Sequence, residues 1–278
     1  MPPEPEEKLQ SLLRSVHVNI PWRELPKYVD TILHLRLNVE IGIEATVLDE
    51  LSRPEIVAVV SQLRREGCRI TLHGPFWDLS PGSVDPLIRR ASRRRLQQFF
   101  DVVDSFRPIQ VVCHTGFDPR HHGGHRSLWL DESLTVWEIL VRRGEDLQVP
   151  LLLENVWEYG PDLHKELFGR IPSPYFGFCL DVGHQHSFSR TPLTAWLDEL
   201  QDRLREVHLH DNDGSGDAHL PIGDGTIDFV GLFRFLGSRG MKPVLTLEPH
   251  REEHLAGTLR GLNRMLSAAG WNSFREGS

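Results

Sequence analysis

Eight short β-branched or apolar runs recur along the chain, each followed by a stretch with helical periodicity, and parallel βα units require that alternation. The runs are VHVNI from Val16, VEIGI from Val39, RITLH from Arg69, QVVCH from Gln110, PLLLE from Pro150, GFCLD from Gly177, REVHLH from Arg205 and PVLTLE from Pro243. Between the third and fourth runs, Leu96, Phe99, Phe100, Val103 and Phe106 mark one apolar helix face, which leaves Arg93 to Arg95 mostly facing solvent. Helix starts are predicted at Asp85-Pro86, Thr191-Pro192 and near Asp228. A (β/α)8 TIM barrel takes roughly 250 residues, and at 278 residues this chain fits one. No low-complexity linker divides it. A single barrel domain over 1–278 is therefore predicted, with flexible tails at 1–14 and 270–278.

Composition narrows the function classes. A net charge of −8 argues against a broad phosphate-tracking surface, so DNA is not the favoured partner. Cys68, Cys113 and Cys179 lie in or beside apolar runs without CxxC spacing, which suits buried core residues in a reducing cytoplasm. The opening MPPEPEEKLQ reads as neither a signal peptide nor an anchor, and no apolar run is long enough to span a bilayer. A soluble cytoplasmic protein with no membrane partner is expected; the oligomeric state is not legible.

The polar residues fall at strand ends. The third strand ends in His73, the fourth in His114, the fifth in Glu154 and the sixth in Asp181; the seventh carries His208 and His210, and the eighth ends in Glu248. In a barrel those ends converge on one mouth, where titratable residues serve function. Packed together without a counter-ion they would be costly, and a cation resolves that cost. His184 follows Asp181 by three residues, and DNDGSGDAHLPIGDG after the seventh strand places Asp217 and His219 two apart. Mixed imidazole and carboxylate donors suit zinc, manganese or iron, with magnesium left open.

These motifs resemble the xylose isomerase-like TIM barrel superfamily, which holds both the sugar isomerases and epimerases and the AP endonuclease family 2 (endonuclease IV) enzymes. The resemblance rests on HGPF at His73, CHTG at His114, LLLEN at Glu154, CLDVGH from Cys179, VHLHDND from Val207, DAHLPIGDG from Asp217 and TLEPH at Glu248. Similarity to the isomerase branch implies a four-ligand metal site at Glu154, Asp181, His208 and Glu248. Similarity to endonuclease IV implies a site of nine ligands and three metals at His73, His114, Glu154, Asp181, His184, His208, Asp217, His219 and Glu248. The sixth-strand text, DVGHQHSFS, departs from the endonuclease pattern and is nearer the isomerase-like members.

Other residues are read as contacts. The loop GFDPRHHGGHRSLW carries Arg120, His121, His122, His125 and Arg126, more basic groups than a short βα loop needs, and is expected to meet an anionic substrate. Trp77, after Phe76, is a candidate stacking residue, and His210 shares the inward face of His208, behind the ligands and within reach of substrate. Gly223 and Gly225 give a weak phosphate signal against the plainer role of a turn.

Two chemistries fit one scaffold. The first expectation is metal-assisted hydrolysis of a small sugar-phosphate-like or nucleotide-like phosphoester with two or three ions, because it uses all nine ligands. The alternative is isomerisation or epimerisation of a sugar or sugar phosphate with one ion, Glu154 and Glu248 moving protons. His184 joins those two as a candidate acid or base. A barrel retained only as a binding module is the third reading, against which the complete ligand set speaks.

Overall fold

In the computed structural model, which describes residues 5–271, eight strands close a parallel barrel in sequence order. They are β1 (His17–Pro21), β2 (Asn38–Gly42), β3 (Ile70–His73), β4 (Val111–His114), β5 (Leu151–Glu154), β6 (Phe176–Asp181), β7 (Leu204–Leu209) and β8 (Val244–Leu247). Closure is made by β1, which pairs with β2 on one side and β8 on the other. The helices are α1 (Pro5–Ser15), α2 (Leu25–Leu35), α3 (Arg53–Arg65), α4 (Pro86–Phe106), α5 (Pro119–His122) and α6 (Arg126–Leu147). They continue with α7 (Asp162–Arg170), α8 (Val182–Phe188), α9 (Leu193–Leu200), α10 (Phe229–Ser238) and α11 (His254–Ala269). The fold is the (β/α)8 TIM barrel.

Local chemistry sets the boundaries. Asp85 caps α4 by accepting the Leu87 amide at 2.7 Å, with Pro86 in the first turn, and Asp228 caps α10 through Gly231 at 2.8 Å. At Thr191-Pro192 the helix starts one residue late, at Leu193, because the Thr191 hydroxyl donates to the Tyr159 carbonyl instead of capping. The stretch expected to be a flexible N-terminal tail is helical from Pro5. Buried Leu12 anchors that helix, and Lys8 reaches Ser267 on α11 at 3.4 Å. The expected C-terminal tail begins at Gly270, the left-handed cap of α11; residues 272–278 lie outside the described residues.

The main core lies between barrel and helices, where Phe99, Phe100, Trp129, Trp137, Phe176, Trp196 and Phe233 are almost fully buried. Inside the barrel, Val112, Leu152 and Cys179 from β4, β5 and β6 form a separate apolar cluster. All three cysteines are free and buried. Among the described residues no helix is long and apolar enough to cross a membrane.

Candidate metal centre and active site

Parallel register brings the strand ends together. His114 sits opposite Glu154, and Asp181 opposite His208. The Asn155 side chain ties β5 to β6 by taking the Asp181 amide at 3.0 Å and donating to the Asp181 carbonyl at 2.9 Å. The ladder runs one residue past β8, since the Glu248 amide donates to the Leu209 carbonyl at 3.3 Å. The Asp181 carboxylate also accepts the His184 amide at 2.6 Å as the cap of α8, which turns the His184 ring back over the mouth.

Three overlapping groups result. In the first, Glu154 Oε2 lies 2.9 Å from His73 Nε2 and 3.4 Å from His114 Nε2. In the second, His210 Nε2 stands 3.2 Å from both Asp181 oxygens and 3.9 Å from Glu248 Oε2. In the third, Asp217 Oδ2 lies 3.3 Å from His184 Nε2 and 3.1 Å from His219 Nε2. His184 Nδ1 links the third group to the first, 3.1 Å from Glu154 Oε1. His208 occupies the middle, its Nδ1 3.2 Å from Glu248 Oε1 and 3.6 Å from Glu154 Oε2.

The backbone makes room for this convergence. A Cβ at residue 183 would fall 1.9 Å from His210 Cε1, so only glycine lets α8 pass that ring. His219 is held at φ 45°, a left-handed conformation unusual for a non-glycine residue, by the paired backbone bonds between Asp211 and Leu220. Its ring is stacked between His210 at 3.7 Å and His250 at 3.4 Å.

The electrostatics are those of a site built around positive charge. Burial alone would raise the pKa of Glu154, yet His114 and His208 hold it well below the usual carboxylate range. Burial likewise opposes ionisation of Asp181, but His184 and His210 bring it down to about 2. Burial pulls His73 toward neutrality, and Glu154 outweighs that, carrying it up to about 9. Glu248 differs, since burial pushes its carboxyl up. Both ring nitrogens of His208 and Nδ1 of His210 are buried without a hydrogen-bond partner. Unpartnered imidazole nitrogens beside buried carboxylates form the donor set that a divalent cation satisfies.

The loop after β4 is arranged otherwise. Arg120 forks onto Asp118 at 2.8 and 2.9 Å and lies over the Trp157 ring, while His121 also reaches Asp118. Arg126 pairs with Glu166 at 2.7 Å. His122 Nδ1 accepts the Asp118 amide at 3.0 Å, and His125 is exposed. Trp77 is 71% exposed, whereas half-buried Phe76 stacks on the His114 ring at 4.3 Å. The amides of Gly223 and Gly225 donate to the Asp211 carboxylate, which closes the turn and leaves neither for a phosphate.

Several polar residues near the site carry weak sequence signals. Glu40 and Glu206 are fully buried inside the barrel. Each could have been noticed as a carboxylate within an apolar strand, Glu206 two residues before His208. Glu158, buried after β5 and bonded by Thr115 and the Val156 amide, and His250 on the last βα loop were likewise not singled out.

The chain belongs to the xylose isomerase-like TIM barrel family, whose model matches residues 38–268. Fructoselysine 3-epimerase of Escherichia coli O157:H7 is 31% identical over 117 residues, 39% of this chain and 42% of that protein. A solved D-tagatose 3-epimerase-like protein superposes with a TM-score of 0.76 at 22% identity, covering 92% of this chain and 98% of its own. A protein of Thermus thermophilus, its crystal soaked with ZnCl2, superposes at 0.72 with 26% identity over 92% of this chain and 98% of its own.

Proposed function

We propose that the protein is a divalent-metal-dependent epimerase or isomerase of a small carbohydrate, with Glu154 and Glu248 as the proton-moving pair. The observation that carries the proposal is the convergence of these two carboxylates, from the ends of β5 and β8, on one imidazole nitrogen, His208 Nδ1. The 31% identity to fructoselysine 3-epimerase supports the same chemistry, and it displaces phosphoester hydrolysis, the first expectation from sequence. The basic loop expected to neutralise a phosphate has its own counter-charges at Asp118 and Glu166, which weakens one support for that expectation.

Glu154, Asp181, His210 and Glu248 would hold the ion. His210 replaces His208 in that set because its Nε2 faces both Asp181 oxygens, whereas His208 Nδ1 lies 3.9 Å from Asp181. An ion of the zinc, manganese or iron class bound there supplies Lewis acidity toward adjacent carbonyl and hydroxyl oxygens of a ketose. Glu154, held ionised, withdraws the carbon-bound proton from one face, and Glu248, held closer to neutral, supplies a proton to the other. His184, Asp217 and His219 receive the sugar hydroxyls, and Phe76 with His114 walls the mouth beside β3.

One observation keeps hydrolysis as a second reading. His184, His210, Asp217 and His219 offer a further set of converging ligand atoms, enough for a second ion. The test is a panel of ketoses, amino-linked ketoses, phosphomonoesters and phosphodiesters, followed by NMR on protein stripped by chelation and reloaded with one metal at a time. A new epimer is expected only after reloading. Phosphoester cleavage with no epimer from any sugar would reverse it.

A further inference from the structure

TIM barrels fill their interior with layers of apolar side chains. Here that holds on one side only, where Val112, Leu152 and Cys179 meet. On the other side, one step below the mouth, lie Asn19, Glu40, Thr71, Gln110, Glu206 and Thr246, most of them fully buried. Two carboxylates in such a place are destabilising unless each has partners, and the two are partnered differently.

Glu206 is hydrogen-bonded at both oxygens. Its Oε2 accepts Gln110 Nε2 at 2.7 Å and its Oε1 accepts the Thr246 hydroxyl at 2.5 Å, while His208 Nε2 stays 3.8 Å away. Glu40 accepts Asn19 Nδ2 at 2.8 Å on Oε1 and has only a long contact, 3.5 Å, from the Thr71 hydroxyl on Oε2. The same Oε1 is 3.4 Å from His208 Nε2. His208 therefore stands between Glu40 below and, through Nδ1, Glu248 at 3.2 Å above. Neither ring nitrogen has a hydrogen-bond partner, so these ion-pair contacts, with Glu154 at 3.6 Å from Nδ1, are what orient the ring.

We propose that Glu40 is a positioning residue: through His208 it fixes the direction in which Glu248 presents its carboxylate to the mouth. The proposal rests on the reading of Glu248 as part of the reactive site. Outer partners of a reactive or ligating group set its orientation, and their loss typically lowers activity or metal affinity by about 10- to 100-fold.

The experiment compares two isosteric changes at equally buried carboxylates, Glu40→Gln and Glu206→Gln, by kinetics, zinc affinity from competition titration, and crystal structures without metal. Glu40→Gln is expected to lower kcat by about 10- to 100-fold with KM nearly unchanged, and to weaken zinc by a similar factor. Adding Glu40→Gln to His208→Gln should cause little further loss, because Glu40 acts only through His208. Glu206→Gln should stay within about threefold on every measure, since both its oxygens are held by Gln110 and Thr246 and its approach to His208 is the longer, at 3.8 Å. In the crystal structures Glu248 turns away from its present direction in Glu40→Gln and keeps it in Glu206→Gln. Equal losses from the two variants, additive losses in the double variant, or an unmoved Glu248 in Glu40→Gln would each overturn the proposal. Wild-type protein that binds no zinc would defeat the metal reading alone, and the position of Glu248 would still decide the role of Glu40.

Discussion

Two regions of the molecule are rich in histidine, and they behave oppositely. In the loop after β4, His121 and Arg120 are matched by Asp118, a neighbour in sequence, and Arg126 by Glu166 on the adjacent surface. At the mouth, His73 meets Glu154 across 81 residues, and His210 meets Asp181 across 29. A charge answered locally at an exposed site contributes little to binding or stability. A charge answered only by closing the barrel is held there by the whole fold, and its unmet nitrogens are available to a ligand. Histidine density alone did not separate the two regions; position at a strand end did.

The largest effect that would sharpen this contrast is expected from Glu154→Gln and Glu248→Gln. Each should lower kcat by about 10²- to 10⁴-fold, the range for losing a positioned acid or base, while circular dichroism stays unchanged. Near wild-type turnover in either variant would remove that residue from the pair.

Next comes Asp217→Ala combined with His219→Ala. With the ion held at Glu154, Asp181, His210 and Glu248, the double variant should keep one bound metal per chain by elemental analysis. KM should rise by about 10- to 100-fold, as for one or two lost hydrogen bonds to substrate. A drop in metal content together with complete loss of activity would instead favour a multi-metal site and the hydrolytic reading.

A third effect is on stability. Burial pushes the Glu158 carboxyl up from 4.5 to about 7, outweighing the hydrogen bonds from Thr115 and the Val156 amide. Between those values the folded chain keeps a proton that the unfolded chain has released, so stability is lost as pH rises through the window. The gap is worth about 3 kcal/mol. Glu158→Gln should flatten the change in denaturation midpoint between about pH 5 and about pH 8, with the variant the more stable at the higher pH. An unchanged slope would mean that Glu158 titrates normally.

How far the sequence reaches can be judged residue by residue. Strand-end positions such as His114, Glu154 and Asp181 were legible because the period of a strand and the closure of a barrel leave no other place for them. Strand limits shifted by a residue or so: Glu248, expected as the end of the eighth strand, falls just past β8. His210 was read from alternation as sharing the inward face of His208 and standing behind the ligands; the distances to Asp181, 3.2 Å from His210 Nε2 and 3.9 Å from His208 Nδ1, are not legible in a linear text. The basic loop was read without its acids: Asp118 stands beside Arg120 in the text and was passed over, and Glu166 meets Arg126 only across 40 residues. Glu40 was missed for a related reason: inside the run VEIGI it looks like an interruption, and its link to His208 crosses the barrel.

The smallest effect tests the other side of the comparison. Arg120→Ala and Arg126→Ala should change kcat/KM by less than about threefold, because each removes an ion pair at the surface. A loss of a hundredfold or more in either would return the loop to the active site.

The most direct test of the central claim is solvent isotope exchange. The metal-loaded protein is incubated with the ketose panel in D2O, and carbon-bound deuterium is followed by NMR and mass spectrometry. Deuterium is predicted at the carbon whose configuration changes, dependent on the ion and abolished by Glu154→Gln, whereas Glu248→Gln should abolish the epimer. Cleavage of a phosphoester with no deuterium entering any sugar would contradict it.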